Sequence, residues 1–232
     1  MFDLIAFDAD DTLWENEAYY QEGRKTFHTI LKPYGIPTDL DARLDGIETR
    51  NIPHFGYGVN GFVFSLIETA IQVTDEKINA ADIQQIINIA HQMLEQKVDL
   101  FDHVEPMLSA LSRSYPLMLI TKGDLLHQQK KLERSGLSQY FSYVEVVADK
   151  TREIYAAILA KHKVDPSRFL MIGNSMRSDI LPVLEMNAHA VYIPSRLMWM
   201  HEHCDLPKEL AAKFVELEHL GQVVDWIKSS NM

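Results

Sequence analysis

The chain lacks the features that mark secreted and membrane-spanning proteins. Its 232 residues include one cysteine, Cys204, which excludes an intramolecular disulfide and fits a reducing compartment such as the cytosol. No apolar run approaches the roughly 20 residues of a membrane span. No basic segment precedes an apolar stretch at the N-terminus, so no signal peptide is expected. We therefore expect a cytoplasmic protein with no membrane partner.

Positive charge is also scarce. There are 22 lysines and arginines against 33 aspartates and glutamates, which gives a formal net charge of −11. An acidic protein is not steered toward nucleic acid, so no nucleic-acid partner is expected. The composition, 47% hydrophobic and 24% charged, is that of a globular protein with one large domain or two modest ones. Nothing in the sequence indicates an oligomeric state.

Short apolar runs bounded by turn residues predict buried strands. The runs occupy residues 4–7, 117–120, 143–147, 169–172 and 190–193. From residue 102 onward they alternate with helical patterns. Strands that alternate with helices and short loops predict an α/β fold with a doubly wound parallel sheet.

The long segment between the first two predicted strands has helical character. Residues 62–73 and 78–94 carry apolar side chains at helical spacing. A crossover between parallel strands needs only about a dozen residues. We therefore expect an inserted all-helical subdomain at residues 15–97, which leaves a discontinuous α/β core formed by residues 1–14 and 98–232.

Residues whose side chains could act in catalysis or bind ligands follow the ends of four predicted strands. In strand order they are Asp8, Asp10 and Thr12, then Thr121 and Lys122, then Lys150, and finally Asn174 and Asp179. Ligands of open α/β sheets gather at the carboxyl ends of the strands, so these side chains are expected to converge. Closely spaced carboxylates are costly to bury without a compensating charge, which suggests a site that holds a cation.

These four stretches resemble the four motifs of the haloacid dehalogenase-like superfamily, in their order and on the expected strands. Asp8-x-Asp10-x-Thr12 resembles motif I, and Thr121 resembles motif II. Lys150 resembles motif III, and the segment from Gly173 to Asp179 resembles motif IV. The resemblance covers residues 1–14 and about 98–228. It implies a Rossmann-like core, with the insertion at the place of a helical C1-type cap.

The resemblance further implies a phosphomonoester hydrolase. Asp8 would attack phosphorus and carry an aspartyl-phosphate intermediate. Asp10 would protonate the leaving group and then deprotonate water. Lys150 would neutralise charge on Asp8 and the phosphoryl group. Because a cap covers its substrate, a small soluble phosphorylated metabolite is the expected partner.

The resemblance also implies a set of binding groups. The phosphoryl oxygens would be held by the Thr121 hydroxyl, by Lys150, and by the backbone amides of Ala9 and Lys122. The expected cofactor is Mg²⁺, which prefers hard oxygen ligands. Its ligands would be the Asp8 carboxylate, the Asp10 backbone carbonyl, and oxygens of Asn174 and Asp179.

Motif IV departs from the usual pattern, because Asn174 stands where the family normally has aspartate. An amide oxygen brings no charge, so either Mg²⁺ binds more weakly or Asp179 takes a larger share. A Ser/Asn-rich loop also occurs in dehalogenases of the family, which leaves a 2-haloacid dehalogenase as an alternative. Those enzymes lack an acid at the position of Asp10, so Asp10 favours phosphoryl chemistry.

A phosphorylated receiver module, which is not an enzyme, is a second alternative. Receivers also combine Asp, Thr, Lys and Mg²⁺ on a doubly wound sheet. They are about half as long, however, and their acid pair precedes the phosphorylated aspartate on another strand. The order of the motifs in this chain disfavours that interpretation.

Overall fold

The fold is that of a computed structural model, which describes residues 2–195, 197 and 204–230. Its strands are β1 (Leu4–Phe7), β2 (Leu117–Lys122), β3 (Tyr143–Val147), β4 (Phe169–Gly173), β5 (His189–Tyr192) and β6 (Phe214–Glu216). Within the described residues they form one six-stranded sheet in the order β3-β2-β1-β4-β5-β6, and every neighbouring pair is parallel. The predicted doubly wound parallel sheet is confirmed. The order reverses between β1 and β4, the kind of switch point at which such sheets bind ligands.

Helices connect the strands. They are α1 (Glu17–Leu31), α2 (Leu40–Phe55), α3 (Val59–Val73), α4 (Ala80–Glu95), α5 (Val104–Leu111), α6 (Leu125–Ser135), α7 (Arg152–His162), α8 (Leu181–Leu184) and α9 (Val223–Ser230). A π-helical turn, Met176–Ile180, follows β4. In the described part of the chain, none of the helices combines the length and the apolar character that a membrane crossing requires.

Helices cover the sheet on both faces. Successive side chains of a strand point to opposite faces. Ile5 and Phe7 of β1 belong to a buried cluster with apolar residues of α5, α6 and α9. Leu4 and Ala6 belong to a second cluster with residues of α7 and α8. Because both faces of β1 are buried, its sequence reads as a continuous apolar run rather than an alternating one.

The chain divides into two compact units. The first consists of Met1–Glu17 and Val98–Met232 and contains the sheet. The second, Ala18–Lys97, contains most of α1 together with α2, α3 and α4, whose apolar faces form a separate core. Whether the second unit acts as a cap stays a prediction.

The loop after β1 is fixed by Asp11. The residue has a positive φ of 61°, a conformation that aspartate tolerates better than most residues. Its Oδ1 accepts hydrogen bonds from the backbone N–H groups of Asn16 and Glu17, each at 2.9 Å. Asp11 therefore binds N–H groups at the beginning of α1 that have no partner within the helix.

Candidate active site

Four neighbouring strands bring the predicted residues to one edge of the sheet. Asp8 follows β1, and its backbone N–H donates to the carbonyl oxygen of Ile172 on β4 (2.9 Å). Asn174 follows β4 directly, so it lies beside Asp8 across the switch point. Lys150 lies between β3 and α7. The parallel arrangement of the strands therefore places these distant positions next to each other.

A buried lysine bridges two buried carboxylates. Lys150 Nζ donates to Asp8 Oδ1 at 2.5 Å and to Asp179 Oδ1 at 2.6 Å. The side chains of Lys150 and Asp179 are each 1% exposed, and that of Asp8 is 10% exposed. Two negative charges thus share one positive charge, which leaves a net charge of −1 in a poorly solvated place.

This arrangement perturbs the ionisation of both partners. Burial raises the pKa of Asp8 to about 7, and the carboxylates of Asp179 and Asp10 act in the same direction, although Lys150 opposes them. Burial lowers the pKa of Lys150, but the carboxylates of Asp179 and Asp8 outweigh it and hold the pKa well above its usual range. The raised pKa of Asp8 therefore reflects burial first, with the neighbouring carboxylates adding to it, and Lys150 offsets only part of the increase.

Asp179 is fixed by the loop that follows β4. Its Oδ2 accepts a hydrogen bond from the Ser175 backbone N–H at 3.0 Å. The carboxylate packs so closely on Gly173 that a Cβ added there would meet Asp179 Oδ2 at 2.3 Å. Glycine is therefore required at position 173 for steric reasons. Both carboxylate oxygens of Asp179 have protein hydrogen-bond partners.

Thr12 joins Asp8 to Asn174. Its hydroxyl lies 2.9 Å from Asp8 Oδ2 and 3.0 Å from Asn174 Oδ1. Thr12 is buried, and its contact with Asp8 is shielded from water, whereas its contact with Asn174 is partly buried. Both oxygens of the Asp8 carboxylate consequently have a hydrogen-bond partner, Lys150 on one side and Thr12 on the other.

The Asp10 carboxylate lies among three donors. Trp14 Nε1 donates to Oδ1 at 2.6 Å, Lys131 Nζ also donates to Oδ1, and Gln128 Nε2 donates to Oδ2 at 2.8 Å. Burial raises the pKa of Asp10, but the charge of Lys131 and the three hydrogen bonds outweigh it and lower the pKa below its ordinary value. In this arrangement Asp10 is ionised.

The remaining predicted residues lie at the ends of neighbouring elements. Thr121 is buried at the end of β2, and its hydroxyl contacts the Lys122 carbonyl oxygen at 3.4 Å. Lys122 Nζ donates to Ser178 Oγ at 2.8 Å, which connects the ends of β2 and β4. Ala9 is buried directly after Asp8. The predicted phosphoryl contacts of these residues stay predictions.

Trp14, Gln128 and Lys131 carry no sequence signal that marks them as site residues. Gln128 and Lys131 belong to α6, whose polar sequence, LLHQQKKLERS, reads as a solvated surface helix. Both are nevertheless buried. Their spacing of three residues, which places them on one helix face, is the available hint. It does not indicate which face turns toward Asp10.

The donor chemistry of the site fits Mg²⁺. Asp8 Oδ2 and Asn174 Oδ1 both contact the Thr12 hydroxyl, and Asp8 shares the single charge of Lys150 with Asp179. The site therefore offers oxygen atoms, the ligand type that Mg²⁺ prefers, at a place with more negative than positive charge. Among the described residues, no group of three His, Cys, Asp or Glu side chains is placed to hold a metal ion. A cation here would therefore depend on the Asn174 amide and on backbone carbonyl oxygens as well as on carboxylates.

Comparisons with known proteins agree with the motifs. A family model for haloacid dehalogenase-like hydrolases matches residues 2–185. A crystal structure of a haloacid dehalogenase-like family hydrolase from Xanthomonas campestris is 37% identical, with a TM-score of 0.88 over 98% of this chain and 91% of that one.

Two curated relatives are phosphatases. A glyceraldehyde 3-phosphate phosphatase of Methanothermobacter thermautotrophicus is 24% identical over 85% of this chain and 88% of its own length. The human N-acylneuraminate-9-phosphatase is 26% identical over 95% of this chain and 94% of its own length. The similarity thus extends well beyond the motifs.

Proposed function

Because the chain belongs to the haloacid dehalogenase-like hydrolase family, we propose that it is a phosphatase that hydrolyses the phosphomonoester of a small soluble metabolite. The observation that carries the proposal is the buried contact of Asp8 with Lys150 at the switch point of the sheet. The phosphatase relatives support the same chemistry. Their substrates are a triose phosphate and a sugar-acid phosphate by name, so a phosphorylated carbohydrate is the first class of substrate to test.

In the first step, an oxygen of the Asp8 carboxylate attacks phosphorus while the bond from phosphorus to the ester oxygen breaks. The products are an aspartyl-phosphate on Asp8 and an alcohol, whose oxygen takes up a proton. In the second step, water attacks the phosphorus of the aspartyl-phosphate and gives a proton to Asp10, while the bond from phosphorus to the Asp8 oxygen breaks. Inorganic phosphate is released and the free Asp8 carboxylate is restored. Two displacements at a preformed nucleophile replace one difficult attack by water.

Lys150 supports both steps by its position. Its ammonium holds Asp8 Oδ1 and keeps a positive charge beside the attacking group. A carboxylate that approaches a phosphate dianion meets strong repulsion, which a fixed cation in a dry site reduces more effectively than water does. Asp179 orients Lys150 by accepting a second hydrogen bond from the same ammonium at Oδ1.

We propose that Mg²⁺ is the cofactor and that Asp8, Asp179, Asn174 and the Asp10 backbone carbonyl supply its protein environment. Once bound, the ion would neutralise charge on the transferring phosphoryl group. The contact of two carboxylates, Asp8 and Asp179, with the single ammonium of Lys150 is the observation that supports a second cation at this place.

Asp10 is assigned the proton transfers. In the structure it is ionised, the form that can accept a proton from the attacking water in the second step. Protonation of the leaving oxygen in the first step requires the acid form of Asp10, and the negative charge of a bound phosphate would raise the pKa of Asp10 toward that form. Lys131, Trp14 and Gln128 hold the carboxylate between these events.

We further propose that the unit Ala18–Lys97 acts as a cap that selects the substrate. A mobile cap over a rigid core excludes water and favours small substrates over phosphoproteins. A panel that contains sugar phosphates, nucleotides and one phosphopeptide tests this assignment, because strong activity on the phosphopeptide would contradict it.

A 2-haloacid dehalogenase remains the second candidate, because Asn174 gives motif IV a neutral side chain. The deciding experiment measures phosphate release from an aryl phosphate and the ester panel, and chloride release from chloroacetate, each with Mg²⁺ or with EDTA. We expect Mg²⁺-dependent phosphate release that Asp8→Asn abolishes. Metal-independent chloride release without phosphatase activity would instead establish the dehalogenase.

A further inference from the structure

The hydroxyl of Thr12 lies between two acceptors. Asp8 Oδ2 is 2.9 Å away and Asn174 Oδ1 is 3.0 Å away. A threonine hydroxyl has a single proton and two lone pairs. It can therefore donate to one of these neighbours only, and it has to accept a hydrogen from the other if both short contacts are hydrogen bonds.

The Asp8 carboxylate is the preferred acceptor of the Thr12 hydroxyl proton. A carboxylate is a stronger acceptor than an amide oxygen, and the bond to it is charge-assisted. Asn174 can satisfy the remaining contact if its NH₂ group faces Thr12, because the two ends of an asparagine amide have nearly the same shape and hydrogen bonds decide their orientation. The other end of this amide makes no protein hydrogen bond among the described residues, so no bond is lost.

We propose that Asn174 is a positioning residue for Asp8. Its NH₂ donates to Thr12 Oγ, which commits the single Thr12 proton to Asp8 Oδ2. The Asn174 oxygen is then free of protein donors and is available as a neutral ligand for a divalent cation. Aspartate at 174 could provide the oxygen but not the donor, and it would compete with Asp8 for the Thr12 proton.

This role explains the departure from the family motif in terms of charge. Asp8, Lys150 and Asp179 already carry a net charge of −1 in a buried place. Both oxygens of Asp179 already contact a protein donor, Lys150 on one side and the Ser175 N–H on the other. Asn174 thus keeps Asp8 hydrogen-bonded on both oxygens before any cation arrives, at the expense of affinity for the cation.

The inference rests on the proposed role of Asp8 as the nucleophile, but its test does not depend on activity. Asn174→Asp is compared with Asn174 in two backgrounds, Thr12 and Thr12→Val, by thermal unfolding in EDTA and by calorimetric titration with Mg²⁺. The matched control is Asn88→Asp, which adds a charge at an exposed position of α4. Thr12→Ser, which retains the hydroxyl, tests rescue.

In the Thr12 background, we expect Asn174→Asp to lower the metal-free unfolding midpoint by about 4 °C. The same substitution should tighten Mg²⁺ binding about tenfold. The loss of stability should be smaller with Thr12→Val, because no Thr12 bond remains to be disrupted, and Thr12→Ser should restore the full loss. Asn88→Asp should leave Mg²⁺ affinity within about twofold of the parent.

The opposite sign of coupling would overturn the inference. If Thr12 donated to the Asn174 oxygen, aspartate would be the better acceptor, and Asn174→Asp would be tolerated better with Thr12 than with Thr12→Val. Zero coupling would also contradict it. Loss of phosphatase activity is a separate result: a protein without such activity but with the expected coupling would contradict the proposed function and leave the Asn174 contact established.

Discussion

Lys131 Nζ donates a hydrogen bond to Asp10 Oδ1 across 121 residues of sequence. The same ammonium donates to Asn16 Oδ1 at 2.9 Å and lies 5.7 Å from the centroid of the Trp14 ring. The predicted acid–base residue is therefore held by a helix outside the four motifs. How firmly α6 holds Asp10 determines how readily that carboxylate gains and loses its proton.

We expect Lys131→Met to destabilise the protein at pH 7 by about 2–4 kcal/mol, because it leaves Asp10 buried without its counter-charge. The pKa of Asp10 lies below its ordinary value of 3.8. The stabilisation from the pair is therefore complete above pH 3.8 and is lost as the pH falls through the lowered pKa. Urea unfolding of Lys131→Met and of the parent, at pH 7 and at the lowest pH where both stay folded, measures this loss of stability and its dependence on pH.

Lys130→Met is the matched control for that substitution, since Lys130 is exposed on the same helix. It should change the free energy of unfolding by less than about 0.5 kcal/mol. Equal effects of the two substitutions at pH 7 would show that the contact of Lys131 with Asp10 contributes nothing to stability.

Lys150→Met should have a larger effect, which also decreases as the pH falls but does so in a higher pH range than the effect of Lys131→Met. Without the ammonium, Asp8 and Asp179 face each other uncompensated, and we expect a loss of about 3–5 kcal/mol at pH 8. At pH 5 the loss should be smaller, because the raised pKa of Asp8 allows it to take up a proton. Chemical unfolding at both pH values provides the measurement.

Lys161→Met serves as the comparison for Lys150→Met. Lys161 Nζ lies 2.7 Å from Glu145 Oε1, but the lysine side chain is 63% exposed. Its removal should cost less than about 1 kcal/mol at either pH. A loss for Lys150→Met that is the same at pH 5 and pH 8 would contradict the charge argument.

Gly173→Ala should displace Asp179. The added Cβ would lie 2.3 Å from Asp179 Oδ2, far inside van der Waals contact. We expect a loss of about 1–3 kcal/mol in the free energy of unfolding together with a loss of turnover, because Asp179 orients Lys150. Unfolding and phosphate release measured on the same preparation test both parts.

Gly46→Ala is the opposite case and the control for Gly173→Ala. Among the described residues, and apart from the adjoining backbone of α2 itself, no heavy atom lies within 4 Å of a Cβ added at Gly46. Alanine in a helix interior should stabilise the protein by about 0.5–1 kcal/mol. If Gly173→Ala were equally harmless, the close packing of Asp179 on Gly173 would have no steric consequence.

Asp11→Asn should flatten the dependence of stability on pH. Burial raises the pKa of Asp11 to about 7, so the wild-type protein is penalised progressively as the pH rises from 3.8 toward 7. Asparagine carries no such penalty, tolerates positive φ, and keeps an oxygen for the N–H groups of Asn16 and Glu17.

We expect Asp11→Asn to stabilise the protein by about 1–2 kcal/mol at pH 8 and by less at pH 5. Unfolding in urea across this pH range is the appropriate measurement. A difference between the two proteins that stays constant from pH 5 to pH 8 would show that Asp11 does not titrate in this interval.

The sequence by itself determined the buried central strands of the sheet. Residues 4–7, 117–120 and 169–172 are apolar without a polar face, because helices cover both sides of the sheet, and the structure places β1, β2 and β4 there. The edge strand β6, Phe214–Glu216, was missed because three residues, two of them partly exposed and one exposed, form no such run.

The sequence predicts that polar side chains converge at the ends of those strands, but only the tertiary structure decided the individual contacts between them. The contacts of Lys150 with Asp8, of Lys131 with Asp10, and of Thr12 with Asn174 join residues that are 142, 121 and 162 positions apart. An apolar run predicts a buried strand from its own residues alone, because the burial of a strand depends on the pattern of that segment. A hydrogen bond between distant segments depends on strand order, helix rotation and side-chain direction. These three features cannot be predicted from a local sequence pattern.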